Sequence, residues 1–362
     1  MRAIVDAKAF SEALNHVGKV PRQSTIPVLA GVLVQLEHGR CSITGTDFTT
    51  WLTVALPAQG DEGSFVLQKP LEAVRACRYF KGELALEVHD IKSDYPTVTL
   101  SSGHRSGTFD ALPEKDYPLP PPVEGNISFT ANAAALLKRV ERVKYAVRAS
   151  QGFYDEPQRT CVQFSGNDVF CLDGCRVACD TDAALTFPRP FLTWGSSLSF
   201  LKLMGDNEVT VQVENDHVWL STEDVMICAH REGLETYPLW DAVPKSFQEE
   251  FTVSPKDFLQ ELDYLEGFQP KKHRYTVRLH GGRLDLDKAE SKCSTSVEIE
   301  GESEIAVGFD PRFMKDALTQ FKDEPRVRIK LSGGSSPIII EAEGRNDFAM
   351  VLPVRLYGAM AA

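Results

Sequence analysis

Three cysteines at even spacing, Cys171-x3-Cys175-x3-Cys179, form the one cluster of soft metal ligands in this chain. Zinc sites use C-x2-C pairs or cysteines joined by histidines, and neither pattern occurs here. The eight histidines are dispersed, with no i, i+4 pair. Small half-buried strand residues therefore account for the cysteines better than a metal, and no metal or other cofactor is expected. Two aspartates, Asp47 in TGTDF and Asp173 in LDGCR, hold matching places after apolar strands. Paired carboxylates can do acid–base work, but Asp also caps turns through its own side chain, and matching turns explain matching aspartates. No G-x-x-x-x-G-K-[ST], G-x-G-x-x-G, G-x-S-x-G or H-E-x-x-H pattern is present. The glycines of LSGGSSP (Leu331–Pro337) lie between two strands, as a hairpin turn does, and not before a helix. Catalysis has no support, and a cysteine-cluster metal enzyme is the weaker, class-different alternative.

The elements that carry these residues repeat. TYPL at Thr236–Leu239 echoes DYPL at Asp116–Leu119, and VDAKAFSEAL (Val5–Leu14) resembles VSPKDFLQEL (Val253–Leu262). FTANAAALL (Phe129–Leu137) holds the corresponding place in the middle third. Each opening reads as a short strand feeding a helix capped by Asp6, Asn132 or Ser254, with Pro255 at a first helical position. A second helix is expected in LQKPLEAVRACRYFK, TWGSSLSFLKLMG and GFDPRFMKDALTQFK, each followed by alternating hairpin strands. The chain thus reads as an α+β protein, three tandem copies of one domain, each with two helices on antiparallel sheets of about eight strands. Proline-rich and polar breaks at Pro118–Asn126 and Trp240–Glu250 put the domains at 1–122, 123–247 and 248–362.

Bulk properties narrow the function. The 362 residues suffice for two or three domains, since one core rarely exceeds about 200 residues. No apolar run approaches the ~18 residues of a membrane span, and MRAIVDAKAF carries no signal-peptide core, so a cytoplasmic protein with no membrane role is expected. A net charge of −12 argues against an ordinary basic nucleic-acid binder but allows cations gathered on one surface. In LLKRVERVKYAVRAS, helical spacing puts Leu136, Val140, Val143 and Val147 on one stripe. Lys138, Arg142 and Tyr145 then fall opposite it, flanked by Lys144 and Arg148. Arg75 and Arg78 follow the apolar residues of the first domain's second helix similarly, and Lys315 falls in the third's. Such faces are either simply solvated or suited to track a phosphate backbone without reading bases.

Several segments resemble the bacterial DNA polymerase III β-subunit family, the sliding clamps. Ser24–Leu56 is similar to its T-[LI]-P-[IV]-L segment and the hairpin ending T-[GA]-T-D. LDGCRVA resembles its T-D-G-H-R-L-A, YPLWDAVP its F-P-D-Y-x-x-x-[LI]-P, and MVLPVRL its M-P-[MIV]-R-L. These motifs span all three domains in order. The resemblance implies a processivity factor without catalysis: a head-to-tail homodimeric ring around double-stranded DNA, lined by helices and indifferent to sequence. It implies partners that dock by a short peptide, namely the DNA polymerase III α subunit, the clamp loader and other proteins with the clamp-binding motif. Carried over by position, the peptide site takes Leu172, Gly174, Cys175, Arg176, Val177 and Pro238. From the last segment it takes Met350, Val351, Leu352, Pro353, Val354, Arg355 and Leu356. DNA contacts are implied for Arg22, Phe153 and Tyr154, beside Arg75, Arg78, Lys138, Arg142, Tyr145 and Arg148 on the helices. Cys175 stands where the family has histidine and Leu172 where it has threonine, and YGAMAA extends past Leu356. A specialised or accessory clamp with a restricted partner set is the alternative these departures suggest.

Overall fold

The computed structural model describes residues 1–21, 26–125, 127–148, 156–268, 275–287, 293–301 and 303–356. The first third carries β1 (Arg2–Asp6), α1 (Ala7–Val17), β2 (Val32–Glu37), β3 (Arg40–Thr46) and β4 (Thr50–Gly60). It continues with β5 (Gly63–Leu67), α2 (Pro70–Cys77), β6 (Glu83–His89), β7 (Thr97–Ser102) and β8 (Arg105–Leu112). The second third has β9 (Ser128–Asn132), α3 (Ala133–Val143), β10 (Val162–Gly166), β11 (Asp168–Leu172) and β12 (Arg176–Thr181). There follow β13 (Phe187–Thr193), α4 (Gly195–Leu198), β14 (Glu208–Val213), β15 (His217–Ser221), β16 (Val225–His230) and the single turn α5 (Leu239–Ala242). The last third begins with β17 (Glu249–Val253), α6 (Pro255–Glu266), β18 (Thr276–His280), β19 (Arg283–Asp287) and β20 (Ser294–Ser296). It ends with β21 (Ile299–Glu300), β22 (Val307–Phe309), α7 (Pro311–Thr319), β23 (Val327–Leu331), β24 (Ile338–Glu341) and β25 (Asp347–Val351).

The helix starts follow from their caps. Side chains of Asp6, Asn132 and Ser254 accept from the amides of Ala9 (2.8 Å), Ala135 (2.8 Å) and Asp257 (3.2 Å), satisfying orphan first-turn donors. The apolar stripe of α1, Phe10, Ala13, Leu14 and Val17, is buried, as helical spacing dictates. One helix departs from expectation. In TWGSSLSFLKLMG the α-helix lasts only Gly195–Leu198 and tightens to a 3-10 turn over Ser199–Met204. Ser199 Oγ donates to the Ser196 carbonyl (2.6 Å), and a glycine and serines in the first turn favour such local bonds over α-helix. Likewise α3 stops at Val143, followed by a 3-10 turn over Lys144–Ala146.

Sheet pairing repeats with the sequence. A four-strand ribbon of order β1-β6-β7-β8 recurs as β9-β14-β15-β16 and as β17-β23-β24-β25. A second ribbon, β5-β2-β3-β4, recurs as β13-β10-β11-β12 and as β22-β18-β19-β20. Two antiparallel junctions join ribbons of successive thirds: β4 with β16, where Val54 faces Val225, and β12 with β25, where Asp180 faces Asp347. The chain divides into two compact units, Met1–Leu137 with Ser196–Gly233, and Lys138–Gly195 with the segment from Leu234 on. The first holds the twelve-stranded sheet and the β4–β16 junction; the second holds the nine- and four-stranded sheets and the β12–β25 junction. The second unit's main core packs α6 and α7 on these strands through Phe251, Phe258, Phe309 and Phe321, each almost fully buried. Each such ring contributes about 1.5–3 kcal/mol by leaving water.

Candidate functional site

The two aspartates act as turn caps. Asp47 Oδ1 accepts from the amides of Thr49 (3.0 Å) and Thr50 (2.9 Å), and Asp173 Oδ1 from those of Cys175 (2.9 Å) and Arg176 (3.1 Å). Each carboxylate caps its turn's backbone amides, as the turn reading expects. The cysteines cannot meet at a point: Cys171 lies opposite Ala178 and Cys179 opposite Phe170, so the two thiols leave opposite faces of the sheet. Burial pushes both thiols well above their ordinary range, away from thiolate chemistry. Among the described residues no three His, Cys, Asp or Glu side chains gather at ligand distance.

At the β12–β25 junction, strand alternation sorts the expected peptide site onto two faces. Leu172, Val177 and Met350 share one face with Phe170, Cys179 and Ile339 in a continuous apolar cluster. The Tyr237–Phe247 segment packs on it through Leu239, Val243 and Phe247, and Pro238 opens the turn α5 there. Sequence reasoning missed Leu239, Val243 and Phe247, although YPLWDAVPKSF shows their spacing, because the segment read as a polar break. It also missed Trp240, which is 51% exposed. The buried Asp168 carboxylate accepts from Trp240 Nε1 (2.7 Å), and the Phe348 ring lies 5.8 Å away. Beside Phe348 opens a polar cleft of about 730 Å³ lined by Arg326, Arg328, Glu341, Glu343 and Arg345.

Arg176 and Val351 belong to the opposite face, so they do not line that apolar surface. Val351 is in the main core. The Arg176 guanidinium lies over the rings of Phe313 (5.0 Å) and Tyr145 (5.5 Å), bonded to Asp173 and Asp316. Pro353 lies beyond the last strand, since β25 ends at Val351. Beyond it Leu352 N donates to Cys175 O (2.9 Å) and Val354 N to Gly308 O (2.7 Å). The proline's missing donor thus falls between two amides that bond. Leu352 and Arg355 are exposed, Leu356 is half-buried, and Gly174 holds a left-handed φ of +91°, which suits glycine.

The expected cationic faces survive in part. Arg75, Arg78, Lys138 and Arg148 are exposed. Arg142 and Tyr145 are not on a solvated face. Arg142 is half-buried, and its Nη1 donates to Asp180 Oδ2 (2.7 Å) and lies 3.9 Å from Asp347. Tyr145 packs against the second unit's core, and burial raises its phenol pKa. The reason is tertiary: junction carboxylates and α7 approach what an isolated helix would expose. Arg139, unremarked from sequence, is 4% exposed on the apolar stripe. It donates to Asp180 through Nε (2.7 Å) and to the Asp180 and Asn167 carbonyls through Nη2, over the Phe187 ring. Its spacing from Leu136, Val140 and Val143 is the signal that could have found it. Lys315 is held by Asp263 and Glu266. Arg22, Phe153 and Tyr154 lie outside the described residues.

The geometry agrees with comparisons to known proteins. The family model "DNA polymerase III beta subunit, N-terminal domain" matches residues 1–121, and its "C-terminal domain" counterpart matches residues 241–355. The "Beta sliding clamp" of Bacillus subtilis is 23% identical over 99% of this chain and 100% of its own length. That of Pseudomonas putida KT2440 is 22% identical, covering 98% and 100%. The crystal structure of the DNA polymerase III subunit beta from Pseudomonas aeruginosa aligns with TM-score 0.85 at 18% identity over 98% of this chain and all of that one. The Bacillus subtilis clamp structure gives 0.84 at 19%, covering 99% and 100%. With both ends matched by models of one family, and relatives aligned over their whole length, this chain belongs to the DNA polymerase III β-subunit family.

Proposed function

We propose that the protein is a DNA sliding clamp, a replicative processivity factor: two copies joined head to tail encircle duplex DNA and hold polymerase by a docked peptide. The observation that carries this is the pair of unused sheet edges. Two of three equivalent ribbons end on a junction, at β16 and β25, while Arg105–Asp110 of the equivalent β8 meet no strand on their outer edge among the described residues. Two of the complementary ribbons are likewise used, at β4 and β12, while the equivalent β20 meets no strand on its outer edge among the described residues. One further junction of the same kind, β20 of one copy on β8 of another, uses both. A heterologous contact of this type closes into a ring when its rotation divides the circle. The domains are then 1–122, 123–247 and 248–362, six to a ring.

The other parts follow from this arrangement. Exposed Arg75, Arg78, Lys138 and Arg148 supply phosphate contacts in a protein whose net charge is −12. Phosphate contacts position without reading sequence, which lets a ring slide. The exposed Leu352 and Cys175, backed by the buried Leu172, Val177 and Met350, take a peptide of the polymerase α subunit or the clamp loader. Tethering raises the local concentration of polymerase, so no catalysis by the clamp itself is needed. No described helix is long and apolar enough to cross a membrane, and replication places such a clamp in the cytoplasm. The test is topological. Loaded onto nicked circular DNA by a clamp loader, the protein stays bound, and cutting the circle releases it. Retention that ignores the cut and responds only to salt overturns the reading.

A further inference from the structure

We infer that Arg176 is a positioning residue of the docking site: without touching the docked peptide, it fixes the rim formed by Cys175 and Leu352 against helix α7. This rests on the docking reading above. The rim hangs from a tight turn. Asp173 Oδ1 caps the Cys175 and Arg176 amides, and the Cys175 carbonyl accepts from Leu352 N at 2.9 Å. Both rim side chains are exposed. The Arg176 side chain leaves the same turn in the other direction and is only 10% exposed. Its Nε donates to Asp173 Oδ2 (2.9 Å), its Nη1 donates to Asp316 of α7, and its plane lies over Phe313 of α7. Tyr145 closes the other side at 5.5 Å.

The far end of the rim is tied to the same corner. Past Pro353, Val354 N donates to Gly308 O of β22, two residues before Asp310 caps α7. A Cβ at Gly308 would come within 2.5 Å of Val354 O, so backbone meets backbone there. The segment from Cys175 to Val354 is therefore suspended between Arg176 on one side and the β22–α7 corner on the other. A planar, forked and stacked guanidinium suits this tie, and a lysine ammonium can neither fork nor stack as well. Every donor direction assigned to Arg176 points away from the apolar face.

The experiment is a double-mutant cycle read two ways. A short labelled peptide carrying a glutamine followed by leucine and phenylalanine is titrated into wild type, Arg176→Gln, Asp316→Asn and the double variant. Positioning predicts about tenfold weaker binding for Arg176→Gln and a smaller loss for Asp316→Asn. The double variant then binds no more weakly than Arg176→Gln alone, because both changes cut one tie. Arg176→Lys restores part of the loss. The second readout is the alkylation rate of Cys175 without peptide, in a Cys293→Ser background, the other described cysteines being buried. It rises in both single variants while circular dichroism shows the fold retained. If Asp316→Asn changes neither readout while Arg176→Gln abolishes binding, Arg176 contacts the peptide directly and the inference falls. If wild type ignores the peptide, the docking reading falls and this role with it; the thiol rates distinguish that failure, since they still report the tie.

Discussion

At the scale of residues, most of the unexpected chemistry lies in where arginines end up. Arg139 and Asp180 form a buried pair, with side chains 5% and 2% exposed. Removing one partner of such a pair leaves an uncompensated charge, which costs about 3–5 kcal/mol. Arg139→Met is therefore expected to lower urea-unfolding stability of the second unit by that order. Phe48 poses a different problem, because it holds a left-handed φ of +69° where the equivalent turn of the next third has Gly174. Such a conformation strains a residue with a Cβ, and Phe48 is 54% exposed. Phe48→Gly should be neutral or stabilising by up to about 1 kcal/mol, and a clear loss of stability in calorimetry would contradict this. His217 sits against the Trp51 ring at 5.7 Å and directly opposite His230. Burial first, then the His230 charge, lowers its pKa from the ordinary 6.5. The folded state therefore resists protonation more than the unfolded one. Stability is fully present above about pH 6.5 and falls as pH drops toward the lowered folded value. His217→Gln should flatten that part of a melting-temperature profile between neutral and acid pH.

Elements explain why the two in-chain junctions differ. At β4–β16 the facing pair is Val54 and Val225; at β12–β25 the corresponding pair is Asp180 and Asp347. Two carboxylates directly opposite repel. Arg142, reaching from the C-terminal turn of α3, lies between them, with Arg139 beyond Asp180 and Arg345 bonded to Asp347 (2.6 Å). Arg142→Leu should consequently loosen β12 and β25 and leave β4 and β16 untouched. Amide hydrogen exchange measures this: faster exchange confined to β12 and β25 is the expected result, and a uniform change would show that the ladder is not local. Helix caps were readable because they are local, three residues from donor to acceptor. The early end of α3 was less readable, because its last turn is shaped by strands and by α7 packing on Tyr145.

The proposed ring turns on the two strand edges, of β8 and β20, left open among the described residues. Ser106→Lys, at an exposed position of β8, should oppose strand addition at that edge. If the proposed ring is a dimer joined at this edge, light scattering should show the variant as a monomer at concentrations where the unmodified chain self-associates; unchanged association would move the contact elsewhere. The threefold repeat, the α+β class, the caps and the alternation of each strand were legible in the chain, because all of these follow from neighbours along it. Leu172, Val177 and Met350 were named only through the family resemblance of LDGCRVA and MVLPVRL, and strand pairing brings the three into one cluster. Which cations stay exposed was set by long-range contacts. Arg139 and Arg142 meet Asp180 about forty residues away, and Arg176 meets Asp316 at a separation of 140 residues. Helical periodicity fixes the direction in which a side chain leaves its helix, but not what another strand brings to meet it. The pairing of β12 with β25 turned two expected DNA contacts, Arg142 and Tyr145, and two expected peptide contacts, Arg176 and Val351, toward packed side chains.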